Sequence, residues 1–149
     1  MPTLAFDSSG MVRRYDNEEP GHETVLKLCA DSSNGVVASR LARLEVLSAI
    51  QRKRFERRIT AQQANSRWAL FLYHEAEQYQ FLDLDRMVLQ RAERLLRKHH
   101  PLRAADAIHV ATAQMVGATV GVADLLFVTA DRRQASAALA EGLAVQLIE

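Results

Sequence analysis

Short apolar runs alternate with longer amphipathic stretches along the 149-residue chain. The runs are continuously apolar and brief, which is typical of strands that helices cover on both faces. The stretches between them have the length and periodicity of helices. This alternation predicts an α/β domain built on a parallel sheet of about five strands. The predicted strands are Thr3–Phe6, Gly35–Ala38, Gln80–Leu84, Leu125–Thr129 and Ala144–Leu147.

Two central helices are predicted from an N-cap residue followed by regularly spaced apolar residues. Ser39 precedes apolar residues at steps of three, which we interpret as a stripe that faces the core. Thr60 precedes a second segment in which apolar residues recur at steps of three and four. The apolar positions are Leu41, Leu44, Leu47 and Ile50 in the first helix, and Ala64, Trp68, Phe71 and Leu72 in the second.

Two further helices are predicted in the second half of the chain. One begins at about Asp85 and has apolar residues inward and cations outward. Pro101 separates it from a helix that contains residues 104–115, and Gly117 and Gly121 are expected to mark the loop after that helix. The inward residues of the first are Met87, Val88, Leu95 and Leu96, and the outward ones are Arg91, Arg94, Arg97 and Lys98.

Length and composition predict one globular domain over residues 1–149. With 48% hydrophobic residues, a chain of this length buries roughly 68–70% of its extended surface without needing disulfides. The single cysteine, Cys29, excludes a disulfide framework and a multi-cysteine zinc site. No apolar run reaches about 18 residues, and the first residues lack the profile of a secretory signal. We therefore expect a cytoplasmic protein with no membrane partner.

The net charge of +1 hides an uneven distribution. Residues 40–103 hold 14 Lys and Arg against 7 Asp and Glu, whereas the rest of the chain holds 5 against 11. Arginine accounts for 16 of the 19 basic residues, which suits bidentate contacts to phosphate. A GC-rich genome would produce the same arginine bias without any functional meaning, so both interpretations stay open.

Two acidic residues follow predicted strands. Asp7 comes directly after the first strand, and Asp131 comes two residues after the fourth. In an open parallel sheet, ligands bind at the carboxyl ends of the strands, which makes both residues candidates for a functional site. The alternative is that each only caps the helix that follows, because aspartate is a favoured N-cap residue.

Two more acidic residues lie between small or apolar neighbours within predicted helices. Glu45 is flanked by Leu44 and Val46, and Asp106 is flanked by alanines. Such carboxylates are expected to be partly buried, and a buried charge needs a partner or a metal. A structural ion pair with Arg43 or with Arg103 is the alternative.

If these four carboxylates converge, their mutual repulsion raises their pKa values unless a cation compensates. Oxygen ligands favour Mg²⁺ or Mn²⁺ over zinc. Such a site describes a metal-dependent phosphodiesterase, in which the ion activates water and stabilises the attacking and leaving oxygens.

Four segments in this order and spacing resemble the PIN-domain ribonucleases, in particular the VapC-type toxins of toxin-antitoxin operons. The resemblance spans Leu4 to Val145, and its most specific part surrounds Asp106. The segments are Phe6–Tyr15 with Glu19-Pro20-Gly21, Ser39–Glu45, Leu102–Ala113, and Phe127–Asp131 continuing to Leu143.

The resemblance implies a three-layer α/β/α sandwich and a site made of four acids, which we call the acidic quartet. It implies that the quartet binds Mg²⁺ (or Mn²⁺), with Asp7 and Asp106 as the direct ligands, and that hydroxyl groups of Ser8 and Thr129 support the site. Gly10 stands where the family usually has alanine and is expected to weaken the first helix by roughly 0.5–1 kcal/mol. The quartet consists of Asp7, Glu45, Asp106 and Asp131.

The function implied is that of a Mg²⁺-dependent endoribonuclease, the toxin of a VapBC-type system, which hydrolyses RNA phosphodiester bonds with metal-activated water. The implied partners are RNA, a cognate VapB-like antitoxin and a second copy in a homodimer. Trp68, Phe71 and Leu72 are candidates for the antitoxin groove or for plain core. The cations of a basic segment, residues 52–58, are candidates for RNA contacts or for a solvated helix face; they are Arg52, Lys53, Arg54, Arg57 and Arg58.

Two alternatives to this hypothesis follow from the same residues. His99, His100 and His109 could act as general acid and base without a metal, although we interpret His109 as structural. The chain could also be a catalytically weak RNA-binding or scaffold protein that keeps the same fold.

Overall fold

The computed structural model describes residues 2–149, and within them five strands form one parallel sheet. The strand order is β3-β2-β1-β4-β5, and every neighbouring pair is parallel. The five predicted strands are therefore confirmed. Their bounds are β1 Thr3–Phe6, β2 Gly35–Ser39, β3 Tyr79–Leu82, β4 Leu125–Thr129 and β5 Ala144–Leu147.

Seven α-helices connect the strands of the described residues. Ser39 and Thr60 each accept a backbone N–H at the start of a helix, as their N-cap character predicts, and Asp85 does the same where a helix was predicted to begin. None of the helices described in residues 2–149 is long and apolar enough to cross a membrane. The helices are α1 Ser8–Val12, α2 His22–Ala30, α3 Arg40–Phe55, α4 Ala61–Glu77, α5 Arg86–Lys98, α6 Ala104–Val120 and α7 Arg132–Ala140.

The helices form a layer on each face of the sheet, as expected for a three-layer α/β/α sandwich. Leu4 and Phe6 of β1 pack with apolar residues of α1 to α4. Ala5, between them, points to the opposite face and packs with residues of α5, α6 and α7. Because successive strand residues alternate between faces, continuous burial of β1 requires two cores.

The stripe predicted on α3 is wrong at Leu44, whose side chain is exposed. Steps of three residues turn only 300° around a helix, so a run of such steps drifts away from the core face. The buried residues instead follow steps of four, at Ala42, Val46 and Ile50.

The inward face predicted on α5 is wrong at Met87 and Leu96, which are both exposed. The buried face consists of Val88, Ala92 and Leu95. Met87 and Leu96 each adjoin a buried residue in sequence, but one residue corresponds to a rotation of about 100° around the helix axis.

Two predicted boundaries also shift. Gly117 lies buried inside α6, which continues to Val120, and only Gly121 (φ +96°) ends the helix. Strand β3 occupies residues 79–82 because its pairing with β2 ends where Leu82 meets Ser39.

Gly10 has a role that helix propensity does not reveal. A Cβ atom at Gly10 would lie 2.7 Å from the carbonyl oxygen of Val128 and 3.2 Å from Cδ1 of Phe6. Glycine therefore lets α1 pack directly against β4, and the expectation that alanine would be better here is wrong. This close packing holds the first turn of α1 at the carboxyl end of the sheet.

Candidate active site

The order of the strands places β1 beside β4, although almost the whole chain separates them. From β1 the chain proceeds outward to β2 and β3, then returns across the sheet to β4 and β5 on the other side. The carboxyl ends of β1 and β4 therefore flank the switch point, where open α/β sheets bind ligands. Asp7 follows β1, and Thr129 ends β4 at this position. The backbone N–H of Asp7 donates to Val128, which joins the two strand ends.

Asp7 is fully buried and its carboxylate is held by three donors. Oδ1 accepts the backbone N–H of Gly10 at 2.8 Å, and Oδ2 accepts the hydroxyls of Ser9 at 2.6 Å and Thr129 at 2.8 Å. Burial raises the pKa of Asp7, and the charge of His109 and these hydrogen bonds only partly oppose the rise. Among residues 2–149, no Lys, Arg or His lies within ion-pair distance of it. Asp7 therefore caps α1 and is also a buried carboxylate without a paired cation.

The hydroxyl groups connect Asp7 to the end of β4. The hydroxyl of Thr129 donates to Asp7 and accepts the backbone N–H of Asp131 at 3.0 Å. Ser9, which the sequence analysis did not select, also donates to Asp7 and accepts the N–H of Ala130 at 2.9 Å. Ser8 lies near Glu45 instead, and its hydroxyl contributes to lowering the pKa of Glu45. The available signal for Ser9 was its place in the run Asp7-Ser8-Ser9, because serine side chains near a helix start commonly form local hydrogen bonds.

Glu45 reaches the same region from α3. Its Oε1 accepts a hydrogen bond from Nε2 of His109 at 2.6 Å, and the His109 side chain is almost fully buried on α6. Burial opposes ionisation of Glu45, but the bond and charge of His109 together with Ser8 outweigh it and lower its pKa. The alternative pairing with Arg43 is wrong, because Arg43 binds Glu75 at 2.7 Å.

Asp106 lies in the first turn of α6, where two neutral donors hold it. Oδ2 accepts the backbone N–H of Arg103 at 3.0 Å, and Oδ1 accepts the side-chain amide of Gln134 at 3.0 Å. The alternative of an ion pair with Arg103 is wrong, because only its backbone takes part. Nη2 of Arg133 lies 3.6 Å from Oδ2. Gln134 is buried, and no sequence pattern indicates its role because its contact crosses from α7 to α6.

Asp131 caps α7 and is the most strongly paired member of the quartet. It accepts the backbone N–H of Arg133 at 2.8 Å, and its Oδ2 lies 2.9 Å from Nη2 of the same residue. Burial opposes ionisation, but the hydrogen bonds and charge of Arg133 lower the pKa of Asp131. Asp131 in turn raises the pKa of Arg133.

The quartet thus forms two halves. His109 contacts Glu45 and acts electrostatically on Asp7, whereas Arg133 joins Asp106 to Asp131. In the part of the chain that the structure describes, no three acidic, His or Cys groups are arranged as a ready metal cluster. Magnesium in proteins commonly uses one or two carboxylates and leaves the rest to water and phosphate. The buried, unpaired carboxylate of Asp7 fits that chemistry, because a buried anion is stabilised by a cation.

The other histidines lie in different surroundings. His99 donates to Glu141 at 2.8 Å at the end of α7, and His100 is exposed. The contacts of His99 and Lys98 lower the pKa of Glu141 to about 2. Of the three histidines considered for a metal-free mechanism, only His109 hydrogen-bonds a quartet residue.

One cation of the basic segment has a structural role. Lys53 is largely buried and forms ion pairs with Asp16 and Glu19. The four arginines of the segment are exposed, and Arg54 also stacks on Phe55. The exposed arginines alone remain available for a ligand.

The three residues considered for a docking groove differ in burial on α4. Phe71 is fully buried and belongs to the core, and the partly buried Trp68 stacks on it with ring centroids 4.7 Å apart. Leu72 is exposed beside Leu70 and Tyr73. Phe71 is therefore a core residue. Of the three, Leu72 is the one whose exposed side chain a partner could contact.

Comparisons with known proteins agree with this architecture. A family model described as PIN domain matches residues 4–139. A chain in the crystal structure of VapBC2 from Rickettsia felis bound to a DNA fragment from their promoter is similar in fold, with 14% identity, complete coverage of both chains and a TM-score of 0.65. A chain in the crystal structure of FitAcB from Neisseria gonorrhoeae has 17% identity, 96% coverage of both chains and a TM-score of 0.63. Among curated protein sequences, none matches significantly.

At these identities the structural matches show the fold alone, whereas the family model covers most of the sequence, including all four quartet residues. The chain belongs to the PIN-domain family, whose members are generally nucleases.

Proposed function

We propose that this chain is a Mg²⁺-dependent (or Mn²⁺-dependent) endoribonuclease and the toxin component of a VapBC-type toxin-antitoxin system. The observation that carries the proposal is Asp7, a fully buried carboxylate at the switch point with no paired cation among the described residues. A structural cap does not require burial of an uncompensated charge, and a bound cation would supply the partner that such a buried charge needs.

Asp7 and Asp106 are the proposed cation ligands, with Glu45 and Asp131 completing the site directly or through water. A bound divalent cation would activate a water and stabilise the charge that develops on the phosphodiester oxygens. Ser9 and Thr129 fix the orientation of the Asp7 carboxylate, and Gln134 does the same for Asp106. His109 holds Glu45 toward the site and keeps its carboxylate ionised.

RNA is the proposed substrate because exposed cations outnumber acids in the centre of the chain. Residues 40–103 carry an excess of seven positive charges, and every cation of the basic segment except Lys53 faces solvent. Arginine forms bidentate contacts with phosphate, so this surface suits the backbone of a nucleic acid.

A VapB-like antitoxin is the proposed partner, and a homodimer is the proposed assembly. Support for the antitoxin comes from the two structural matches, to VapBC2 bound to promoter DNA and to FitAcB, whereas the homodimer rests on the family resemblance alone. The exposed apolar side chains of α4 are a candidate contact for either partner; they are Leu70, Leu72 and Tyr73.

Expression in a bacterial host tests the proposal. Wild-type protein is expected to arrest growth and to produce cleaved RNA, whereas Asp7→Asn and Asp106→Asn are expected to do neither. Asp31→Asn is the matched control, since Asp31 is an exposed acid at the amino end of β2, the opposite edge of the sheet. Its expression is expected to arrest growth as the wild type does.

Two outcomes would contradict the proposal. If Asp7→Asn arrests growth and cleaves RNA like the wild type, the quartet is not the active site. If neither protein cleaves RNA although both fold, the chain is the RNA-binding or scaffold protein of the alternative interpretation.

A further inference from the structure

Arg133 contacts two members of the acidic quartet through one guanidinium group. Nη2 lies 2.9 Å from Oδ2 of Asp131 and 3.6 Å from Oδ2 of Asp106, and Nε lies 3.3 Å from Oδ1 of Asp131. Within residues 2–149, no other Arg or Lys lies within ion-pair distance of the quartet. Arg133 is therefore the cation that offsets part of the negative charge of this half of the site.

The two carboxylates do not need that guanidinium to hold their positions. Asp131 is fixed as the N-cap of α7 by the backbone N–H groups of Arg133 and Gln134. Asp106 is fixed by the backbone N–H of Arg103 and the side-chain amide of Gln134. Removal of the Arg133 side chain would thus leave both acids in place, with less positive charge around them.

The Arg133 side chain also has space to move. It is 37% exposed and lines a groove of about 470 Å³ between the α5–α6 loop and α7. His100, Arg132 and Ser136 line the same groove, and no carboxylate is among its lining residues. A guanidinium that turned into this groove would exchange its carboxylate partners for solvent.

We propose that Arg133 is a displaceable internal counter-ion, which pairs with Asp131 and Asp106 in the metal-free protein and turns into the groove when a divalent cation binds. A guanidinium and a divalent cation bind the same carboxylate oxygens, so the two compete for this half of the site. Arg133 thereby limits the charge repulsion of the metal-free site and weakens its affinity for the cation. This inference rests on the proposed metal-dependent function.

Calorimetric titration of the full chain with Mn²⁺ in the absence of RNA tests the competition. Arg133→Gln is expected to bind Mn²⁺ at least about threefold more tightly than wild type, because the cation no longer has to break a partly exposed ion pair, and such pairs have free energies of that size. Arg132→Gln is the matched control, because it removes an adjacent arginine that pairs with Glu149. It is expected to change the affinity by less than about twofold. Arg133→Lys, which keeps the charge but loses the forked geometry, is expected to fall between the two.

A second measurement follows the side chain itself. The NMR signal of the Arg133 Nε–H group is expected to shift on titration with Mg²⁺, whereas the corresponding signal of Arg132 is expected to stay in place. Thermal unfolding of each variant verifies that it is folded before its affinity is compared.

The inference and the proposed function fail in different ways. Equal or weaker Mn²⁺ binding by folded Arg133→Gln, with clear binding by the wild type, would overturn the inference alone and make Arg133 a fixed structural bridge. If wild type binds no more Mn²⁺ than Asp7→Asn does, the proposed metal site fails, and the competition at Arg133 fails with it.

Discussion

Asp7 is the N-cap of α1 and is also proposed to bind the cation. As the N-cap of α1 it needs only one accepted hydrogen bond, yet it accepts three and is completely removed from solvent. Desolvation dominates the balance and raises the pKa of Asp7. In the metal-free protein the ionised form of Asp7 therefore destabilises the fold, which is a typical property of a functional site.

The first prediction concerns the stability of Asp7→Asn without divalent cations. A raised folded-state pKa means that the folded protein binds more protons than the unfolded chain between the two pKa values. The free energy of unfolding therefore falls as pH rises through that interval. Asparagine removes this loss, and the hydroxyl oxygens of Ser9 and Thr129 can accept its N–H groups. Thermal unfolding in EDTA is expected to show a Tm for Asp7→Asn that is higher by about 2 °C or more at neutral pH.

The gain should grow as pH rises from the usual aspartate pKa of 3.8 through the raised pKa of folded Asp7, should then level off, and should not occur in the control. Asp31→Asn is expected to bring no such gain, because contacts with Ser33 lower the pKa of Asp31. A lower Tm for Asp7→Asn at neutral pH in EDTA would show that the ionised carboxylate stabilises the fold.

At the scale of elements, features that depend on one segment were predicted from the sequence, whereas features that depend on packing between two segments were not. The strands, the N-caps Ser39 and Thr60 and the start of α5 near Asp85 were predicted because short apolar runs and capping side chains act within one segment. The exposure of Leu44 and Met87 was missed because the rotation of a helix is set by what it packs against. Gly10 was misread for the same reason, since the crowding atom belongs to β4.

Substitution of Gly10 tests the packing of α1 on β4. Propensity alone predicts that Gly10→Ala stabilises the helix by roughly 0.5–1 kcal/mol. The 2.7 Å approach to the Val128 carbonyl predicts the opposite, a loss of about 1–3 kcal/mol from overpacking. Urea denaturation measures the difference. In the control Gly35→Ala, the nearest atom lies 3.9 Å from the added Cβ, so a change within about 0.5 kcal/mol is expected. A stabilised Gly10→Ala protein would refute the close packing.

At the scale of the whole molecule, the topology assembles residues that no local pattern connects. Asp7 and Asp131 were predicted together because both follow strands, and the switch point between β1 and β4 gives this a structural basis. Glu45 and Asp106 were predicted from their small or apolar neighbours, and the resemblance joined all four acids in one site. The partners Ser9, His109, Gln134 and Arg133 depend on side-chain geometry across α1, α3, α6 and α7, and sequence reasoning left their contacts unassigned.

The net charge of +1 is the sum of two regions with opposite functions in this account. The acidic ends supply Asp7, Asp106 and Asp131, whereas the basic centre supplies Glu45 and the exposed arginines proposed to bind RNA. The proposed activity needs both regions, because the acids bind the cation and the arginines bind the substrate.

The most direct test of the central claim is the single-turnover rate of RNA cleavage by the purified full chain. With Mg²⁺, wild type and Asp31→Asn are expected to cleave at similar rates, and Asp7→Asn is expected to lose at least about a hundredfold in rate, as typically follows loss of a group that acts in the transition state. Chelation by EDTA is expected to abolish wild-type cleavage, and restored Mg²⁺ is expected to recover it. Cleavage by Asp7→Asn at the wild-type rate, or wild-type cleavage that survives EDTA, would contradict a cation-dependent active site centred on Asp7.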